Sequence, residues 1–491
     1  MTTALETVSP SFSIEALNTV AFITLGCKTN LLESSALAEQ FKTLGWQILE
    51  ASQPASLYVF NTCTVTENAD AESRRLIRKA KRQNPSARIA VTGCYAQVSP
   101  ETFQTLGGVD FVIGNNFKDN LPHIVATQFS NYYADLADGP MMLVDDFEKS
   151  RELVSSVGNS AGIARTRGSL KIQDGCDYKC TYCIIWKGRG PSRCLPVGQV
   201  VSQVQQMVDA GFKDIAITGI NIGQYKDGDA ELPQLLQAII EGVSGDVYRL
   251  RLTSLDPLEV TDALMETMAN SGGKIAPHVH LSTQSADDGV LKAMARRHHV
   301  DELQYVCHRL QTLMPDICIG SDIIVGFPTE TDEAFERSLA VLSALPMHYM
   351  HVFRYSPRKG TPAATMKPQV QESKRKDRAT KLIAVATQKK RAFYESFVGR
   401  TFPLLLESVQ PDGCLEGITP NYLRLRVSAE LAEKHQLTAN QIIQVTVGDV
   451  IDSGDGAWVQ MINPVVWGLS VFQFFNEYAS QPVRKVHYCW V

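Results

Sequence analysis

Two sets of three cysteines carry the chemistry open to this chain. The first lies in the run Asp174-Gly175-Cys176-Asp177-Tyr178-Lys179-Cys180-Thr181-Tyr182-Cys183, with thiols four and then three residues apart. Thiolates at that spacing wrap one compact metal centre from a single loop. Iron–sulfur clusters are held by Cys thiolates, normally four for a four-iron cluster. A local set of three therefore leaves one iron open to a non-protein ligand. Zinc is the rival metal, but structural zinc takes four closed ligands, usually from paired C-x-x-C units, and no second pair is present. Cys194, beyond the turn at 186–191, reads as a bystander.

The second set is spread along the chain. The runs Val20-Ala21-Phe22-Ile23-Thr24-Leu25-Gly26-Cys27, Leu57-Tyr58-Val59-Phe60-Asn61-Thr62-Cys63 and Ile89-Ala90-Val91-Thr92-Gly93-Cys94 are each apolar, β-branched and closed by Cys. Each precedes a polar turn and a helical pattern, and the intervals of 36 and 31 residues each suit one strand–helix–strand unit. Parallel strands share a direction, so all three thiols are predicted at the carboxyl edge of one sheet. Open α/β sheets bind ligands at that edge, near a strand-order switch point. Buried structural cysteines are the plain alternative, but those would scatter along strands. The pattern predicts a second three-thiol iron–sulfur cluster.

The chain has 491 residues, eleven cysteines and a formal charge of −5. Its first residues lack the basic region and apolar core of a signal peptide, and no apolar run reaches membrane-spanning length. A cytoplasmic location with reduced thiols is expected, and there clustered cysteines mean metal or catalysis more often than disulfides. Apolar content of 44% and charged content of 20% are ordinary for a globular protein. The negative balance argues against wholesale nucleic-acid coating, so RNA contact must come from local basic patches. Neither a membrane nor a DNA partner is expected.

The elements that position these cysteines read as an α/β protein of three parts. Residues 18–130 alternate strands and helices as an open parallel domain. Residues 131–167, with Asp145-Asp146 and a small polar stretch at 155–160, read as a linker. Within 168–397, strands are predicted at 170–173, 214–218, 248–252, 279–283, 318–325 and 348–353, each followed by a helical segment. Six units fall short of the eight of a closed barrel and predict a partial (β/α)6 barrel, with functional groups at the carboxyl ends. Those ends carry the cysteine loop, Gly219 and Asn221, Ser254 and Asp256, Gln284, and Asp322 with Gly326. Glycine at 219 and 326 is predicted to let a ligand approach the backbone closely. Turn chemistry explains any one of these residues equally well; their shared location raises them. Residues 398–462 turn to short β-rich runs suited to a small barrel.

These features resemble the radical S-adenosylmethionine (SAM) methylthiotransferase family over roughly residues 18–462. The resemblance rests on Leu25-Gly26-Cys27-Lys28-Thr29-Asn30, on Asn61-Thr62-Cys63-Thr64-Val65-Thr66 with Val91-Thr92-Gly93-Cys94-Tyr95-Ala96-Gln97, and on Ile172-Gln173-Asp174-Gly175-Cys176 through Arg189-Gly190-Pro191. It implies an N-terminal cluster domain, a central radical SAM barrel and a C-terminal RNA-binding TRAM barrel. It implies two [4Fe-4S] clusters, one on Cys176, Cys180 and Cys183 that cleaves SAM reductively, and one on Cys27, Cys63 and Cys94 that carries the sulfur. Tyr182 matches the position near the SAM adenine, and Gly219, Asn221, Ser254, Asp256, Gln284, Asp322 and Gly326 match candidates for the rest of SAM. The contexts of Asp174 and Pro191 look most like the branch acting on C2 of N6-threonylcarbamoyladenosine at position 37 of tRNA. The alternatives are isopentenyladenosine in tRNA and an aspartate of a ribosomal protein. A different class altogether is a non-catalytic iron–sulfur RNA-binding protein.

The expected partners are a tRNA anticodon loop, an electron donor and a sulfur source. Unpaired loops are where proteins read RNA bases. Basic candidates for the phosphates are Arg74, Arg75 and Arg78, then Lys374, Arg375 and Lys376, then Arg400, Arg424 and Arg426 as a patch on the small barrel. A solvated helix face is the bland reading of such runs. Trp186 and Arg354 depart from the family pattern; Trp186 offers a stacking surface and Arg354 a partner for the threonyl carboxylate, against the alternative of a surface ion pair. Residues 463–491 form an atypical aromatic tail outside the resemblance.

Overall fold

Three apolar runs ending in cysteine form neighbouring strands of one parallel sheet in the computed structural model, which describes residues 18–129, 139–145, 147, 166–245, 248–451 and 456–463. The strands are β1 (Thr19–Thr24), β2 (Gln47–Leu49), β3 (Leu57–Thr62), β4 (Arg88–Gly93), β5 (Phe111–Ile113) and β6 (Met141–Leu143), in the order β2-β1-β3-β4-β5-β6. The order reverses between β1 and β3, so Cys27 and Cys63 flank the switch point. β3 and β4 are buried at every position, as expected of parallel strands covered on both faces. One face packs against Leu37 and Phe41 of α1 (Lys28–Thr43), the other against Ile77 and Ala80 of α2 (Glu67–Gln83). Thr66 caps α2 by accepting from the Ala69 amide, and Glu67 and Asp70 suit its positive N-terminus.

The central part begins with β7 (Gly168–Lys171) and the short pair β8 (Gln173–Asp174) and β9 (Arg193–Cys194) that braces the cysteine loop. β10 (Asp214–Thr218) is followed by the hairpin of β11 (Lys226–Asp227) and β12 (Ala230–Glu231), then by β13 (Arg249–Leu252), β14 (His278–Gln284), β15 (Cys318–Val325) and β16 (Tyr349–Arg354). β7, β10 and β13 pair in parallel, as do β14, β15 and β16. Bridges Leu250–Ile275 and Leu255–Leu281 join the two groups. The result is an arc of six parallel strands in which, among the described residues, β7 and β16 do not pair with each other, as the six-unit count predicts.

The C-terminal part is a closed barrel in the order β17-β18-β19-β21-β20, formed by β17 (Thr401–Val409), β18 (Leu415–Ile418), β19 (Arg424–Val427), β20 (Ile442–Val450) and β21 (Ala457–Asn463). It seals the amino end of the central arc. Arg249 and Arg251, at the start of β13, donate to the carbonyls of Ile418, Thr419 and Pro420, and His278 stacks on Tyr422 at 4.1 Å. Asp214 neutralises both arginines at 2.5 and 2.7 Å.

Most of the linker expected at 131–167, residues 1–17 and nearly all of the aromatic tail lie outside the described residues. Among the described residues, no helix is long and apolar enough to cross a membrane.

Candidate active site

Cys27 is the N-cap of α1, Cys63 follows β3, and Cys94 opens the short helix Cys94–Val98 after β4. The sequence dictates how closely they meet. A Cβ on Gly26 (φ +94°) would lie 2.7 Å from the Cys63 Sγ, and one on Gly188 would lie 3.2 Å from the Cys94 Cβ. Burial pushes the Cys63 thiol up to about 11, with Cys94 and Cys27 adding to the effect. In the second triad, Gly175 (φ +80°) turns the loop against the Pro191 carbonyl, where any side chain would collide. The Cys176 amide donates to Gly190 O at 2.9 Å and the Cys183 amide to Cys180 O at 3.0 Å. Burial raises Cys176 to about 12 and Cys183 to about 11, again with neighbouring thiols contributing. Metal binding at either triad must therefore release protons.

The donor set fits clusters rather than single ions. Among the described residues, neither cysteine triad brings its ligand atoms within 4.8 Å of one another, the spacing a single ion needs; His280, Asp322 and His351 do so. Donors are aimed at the sulfurs: Arg189 Nε at 3.3 Å and Asn115 Nδ2 at 3.9 Å from Cys94, Arg296 Nη1 at 3.7 Å from Cys180, and the Ile185 amide at 3.4 Å from Cys183. Such hydrogen bonds to sulfur set a cluster's potential.

A buried charge network joins the two triads. Arg189, on the short helix Ile185–Arg189, pairs with Glu33 of α1 and lies 3.2 Å from Asp174. Lys118 reaches Glu33 at 2.6 Å, and Lys171 reaches Glu33 at 3.1 Å and Asp174 at 3.3 Å. All five side chains are no more than 8% exposed. Burial alone would raise the Glu33 carboxyl, but Arg189, Lys118 and Lys171 together hold it well below its usual range. Arg189 directs its guanidinium at the Cys94 sulfur. That geometry suits a thiolate held by metal.

The candidate SAM residues divide by location. Gly219, Ser254 and Asp322 line a cavity of about 860 Å3, together with Cys27 and Lys28. Asn221 is fixed by Glu259 at 2.9 Å, which also accepts from Tyr178 at 2.6 Å. Asp256 pairs with Arg296 at 2.6 Å, and Tyr182 packs edge-on against Phe327 at 6.5 Å. Gln284 closes β14 with φ +70°, a strained value for a non-glycine residue. A Cβ on Gly219 would meet Gln173, and one on Gly326 (φ +73°) would meet Arg375, so packing already demands glycine at both.

The basic candidates also separate. Arg75 pairs with Glu72, Lys374 with Asp332 and Arg426 with Asp412, while Arg74 donates to the Tyr95 hydroxyl. Arg78 and Lys376 are exposed. Arg375 is a correction: it is 11% exposed, tucked under Gly326 and over Tyr355. Arg400 is another. It pairs with Asp316 and stacks on Phe397 and Phe402, whereas Arg424 lines the cavity, so the expected three-arginine patch is not one surface. Arg354 pairs with Glu372, both half-exposed or more, which is the bland alternative. Trp186 is sandwiched by Lys179 and Lys187 at 5.5 and 5.2 Å. Cys194 accepts from the Lys226 amide, apart from both triads.

Sequence reasoning missed the lumen histidines. Asp322 accepts from His280 at 2.9 Å and His351 at 3.1 Å, and Tyr349 bridges His278 and His280 at 2.9 and 3.1 Å. Burial raises the Asp322 carboxyl, but the two imidazoles hold it far below its usual value. The signal was there: His278 and His280, like Tyr349 and His351, sit two apart on inner strands and so share one face.

The match to known proteins agrees with this architecture. Residues 19–114 match the model described as Uncharacterized protein family UPF0004, and residues 170–342 match the Radical SAM superfamily. The chain is 35% identical to the threonylcarbamoyladenosine tRNA methylthiotransferase MtaB of Bacillus subtilis, covering 83% of this chain and 90% of that protein. It is 37% identical to MtaB of Rickettsia prowazekii over 79% and 87% of the two chains. It is 30% identical to the tRNA-2-methylthio-N(6)-dimethylallyladenosine synthase of Maricaulis maris, over 81% and 88%. The solved radical SAM methyltransferase TsrM of Kitasatospora setae shares the fold, with a TM-score of 0.53 at 15% identity over 71% and 77% of the two chains. Two cysteine triads on a parallel sheet and a six-stranded arc, followed by a small barrel and matched over this length, place the chain in the radical SAM methylthiotransferase family.

Proposed function

We propose that the protein adds a methylthio group to C2 of N6-threonylcarbamoyladenosine at position 37 of tRNA, beside the anticodon. The carrying observation is that Cys27 and the barrel lumen, from His278 and Tyr349 to Gly219 and Ser254, line one cavity. A base placed there would lie beside Cys27 of the N-terminal set. Cys176, Cys180 and Cys183 would hold the cluster that binds SAM, and Cys27, Cys63 and Cys94 the second. When bound, these groups supply the one-electron chemistry, the methyl group and the sulfur.

The chain's own residues bind, orient and exclude. Arg189 and Asn115 hold hydrogen bonds to the Cys94 sulfur, and Arg296 links Cys180 to Asp256 at the end of β13. The Glu33 network ties the N-terminal sheet to the barrel through buried ion pairs. The C-terminal barrel covers the amino end of the lumen. Gly219, Asn221, Ser254, Gln284, Asp322, Gly326 and Tyr182 are the candidates that would contact SAM. Arg78, Lys376 and Arg424 are the basic groups best placed for tRNA. Turnover needs an electron donor and a sulfur source as partners.

The test is mass spectrometry of tRNA nucleosides from a strain lacking the gene. Loss of 2-methylthio-N6-threonylcarbamoyladenosine, with its unthiolated precursor accumulating, is the expected result. Loss of the isopentenyl product instead would overturn the substrate assignment.

A further inference from the structure

The cavity between the three parts of the molecule carries more positive charge than its own carboxylates neutralise. Lys28, the first residue of α1, lines it beside Cys27. The titratable groups facing Lys28 are Tyr422, Arg167, Arg251 and Arg424, and no described carboxylate lies within ion-pair distance of its ammonium. Arg251 is matched to Asp214. Arg167 takes Glu407 at 2.5 Å, and Arg424 reaches the same carboxylate only at 4.0 Å. Glu416 leans toward Arg426 at 3.6 Å, and Asp322 is held by two histidines. Arg167 and Arg424 therefore share Glu407, and Lys28 beside them adds a cation with no carboxylate of its own among the described residues.

We propose that Lys28 and Arg424 form a carboxylate-binding subsite that grips the threonyl carboxylate of the substrate base. This rests on the substrate class proposed above. C2 and the N6 substituent belong to the same six-membered ring, so a base presenting C2 near Cys27 carries its N6 tail into the same cavity. Arg424 offers a planar fork and Lys28 a compact point charge. An isopentenyl tail has no polar atom to offer either cation, so the subsite favours the threonylcarbamoyl base. A tRNA phosphate is the other anion source, and the two loops compared below separate it from the threonyl carboxylate.

The test measures binding of anticodon stem–loops to SAM-loaded, cluster-replete protein by fluorescence anisotropy. One stem–loop carries N6-threonylcarbamoyladenosine at position 37 and the other unmodified adenosine. Wild type should prefer the modified loop. Lys28→Gln and Arg424→Gln, compared at equal iron content, should each erode that preference by roughly tenfold to a hundredfold, the scale of a charge-assisted hydrogen bond. Lys28→Arg should retain most of it. If Lys28→Gln weakens both loops equally, Lys28 holds a phosphate and the proposal fails; it fails too if both Gln variants keep the wild-type preference. A wild type that methylthiolates isopentenyladenosine instead would sink the substrate class itself, a separate and distinguishable result.

Discussion

Replacing Glu33 with Gln removes one charge and almost no volume from the lock between the cysteine triads. Arg189 and Lys171 would then keep only Asp174, and Lys118 would lose its carboxylate partner. Breaking a buried pair by removing one member costs about 3–5 kcal/mol, because the remaining charge stays buried and unmatched. Glu33 serves three cations and is 3% exposed, so the upper part of that range applies. The comparison is Glu372→Gln, which breaks the Arg354 pair at a surface where the two side chains are 49% and 64% exposed; its cost should stay under about 1 kcal/mol. Anaerobic urea denaturation, read at matched iron content, gives both numbers. Acid adds a second readout. The folded Glu33 carboxyl is held well below its usual range, so the unfolded chain takes up the proton first. The stabilisation is present above the ordinary carboxylate range and fades as pH falls, and Glu33→Gln should flatten that acid limb. Adding Lys118→Met restores charge balance and should recover part of the loss. A Glu33→Gln cost no larger than that of Glu372→Gln would show the network to be solvated, and the reasoning would be wrong.

Further outcomes follow from the same geometry. Substituting Cys176, Cys180 and Cys183 with Ala should leave about half the iron, since the other triad still ligates a cluster, and should abolish 5′-deoxyadenosine formation; iron at zero or unchanged contradicts the division of labour. Substituting Cys27, Cys63 and Cys94 should spare SAM cleavage but stop methylthiolation, and any methylthio product from that variant would make the N-terminal triad structural. Burial pushes His348 down to about 4, and its Nδ1 accepts from the Ile319 amide at 2.9 Å. The unfolded imidazole therefore binds a proton first, and stability should decline from about pH 6.5 to 4 by at most about 1.4 kcal/mol per unit. His348→Gln should reduce that slope in acid denaturation. Arg354→Ala should leave tRNA affinity within about twofold, as expected for a surface pair; a larger loss would restore Arg354 to the substrate site.

The strands were legible because burial on both faces writes near-continuous apolar runs, and a cysteine at the end of each run marks the sheet edge. Six barrel strands could be located for the same reason, with only small shifts at their ends. The Glu33 network could not be read. Glu33, Lys118 and Lys171 lie far apart in sequence, and a charged residue within a helix normally signals a solvated face; only tertiary packing turns α1 inward. Gly219 and Gly326 were visible as special positions, but what approaches them is Gln173 and Arg375, which no local pattern reveals. Arg375 and Arg400 sat in basic runs whose members look alike until packing buries one against Tyr355 and ties the other to Asp316. Lys28 stood inside a cysteine motif and was read only as its neighbour.

The central claim is methylthiolation of one modified adenosine by a two-cluster enzyme, and a direct assay decides it. Reconstituted protein is incubated anaerobically with SAM, dithionite and two tRNAs that differ only in carrying N6-threonylcarbamoyladenosine or isopentenyladenosine at position 37, and the nucleosides are resolved by mass spectrometry. The account predicts a methylthio product from the threonylcarbamoyl tRNA alone, together with 5′-deoxyadenosine. Equal product from both tRNAs, or cleavage of SAM with methylthio product from neither, would contradict it.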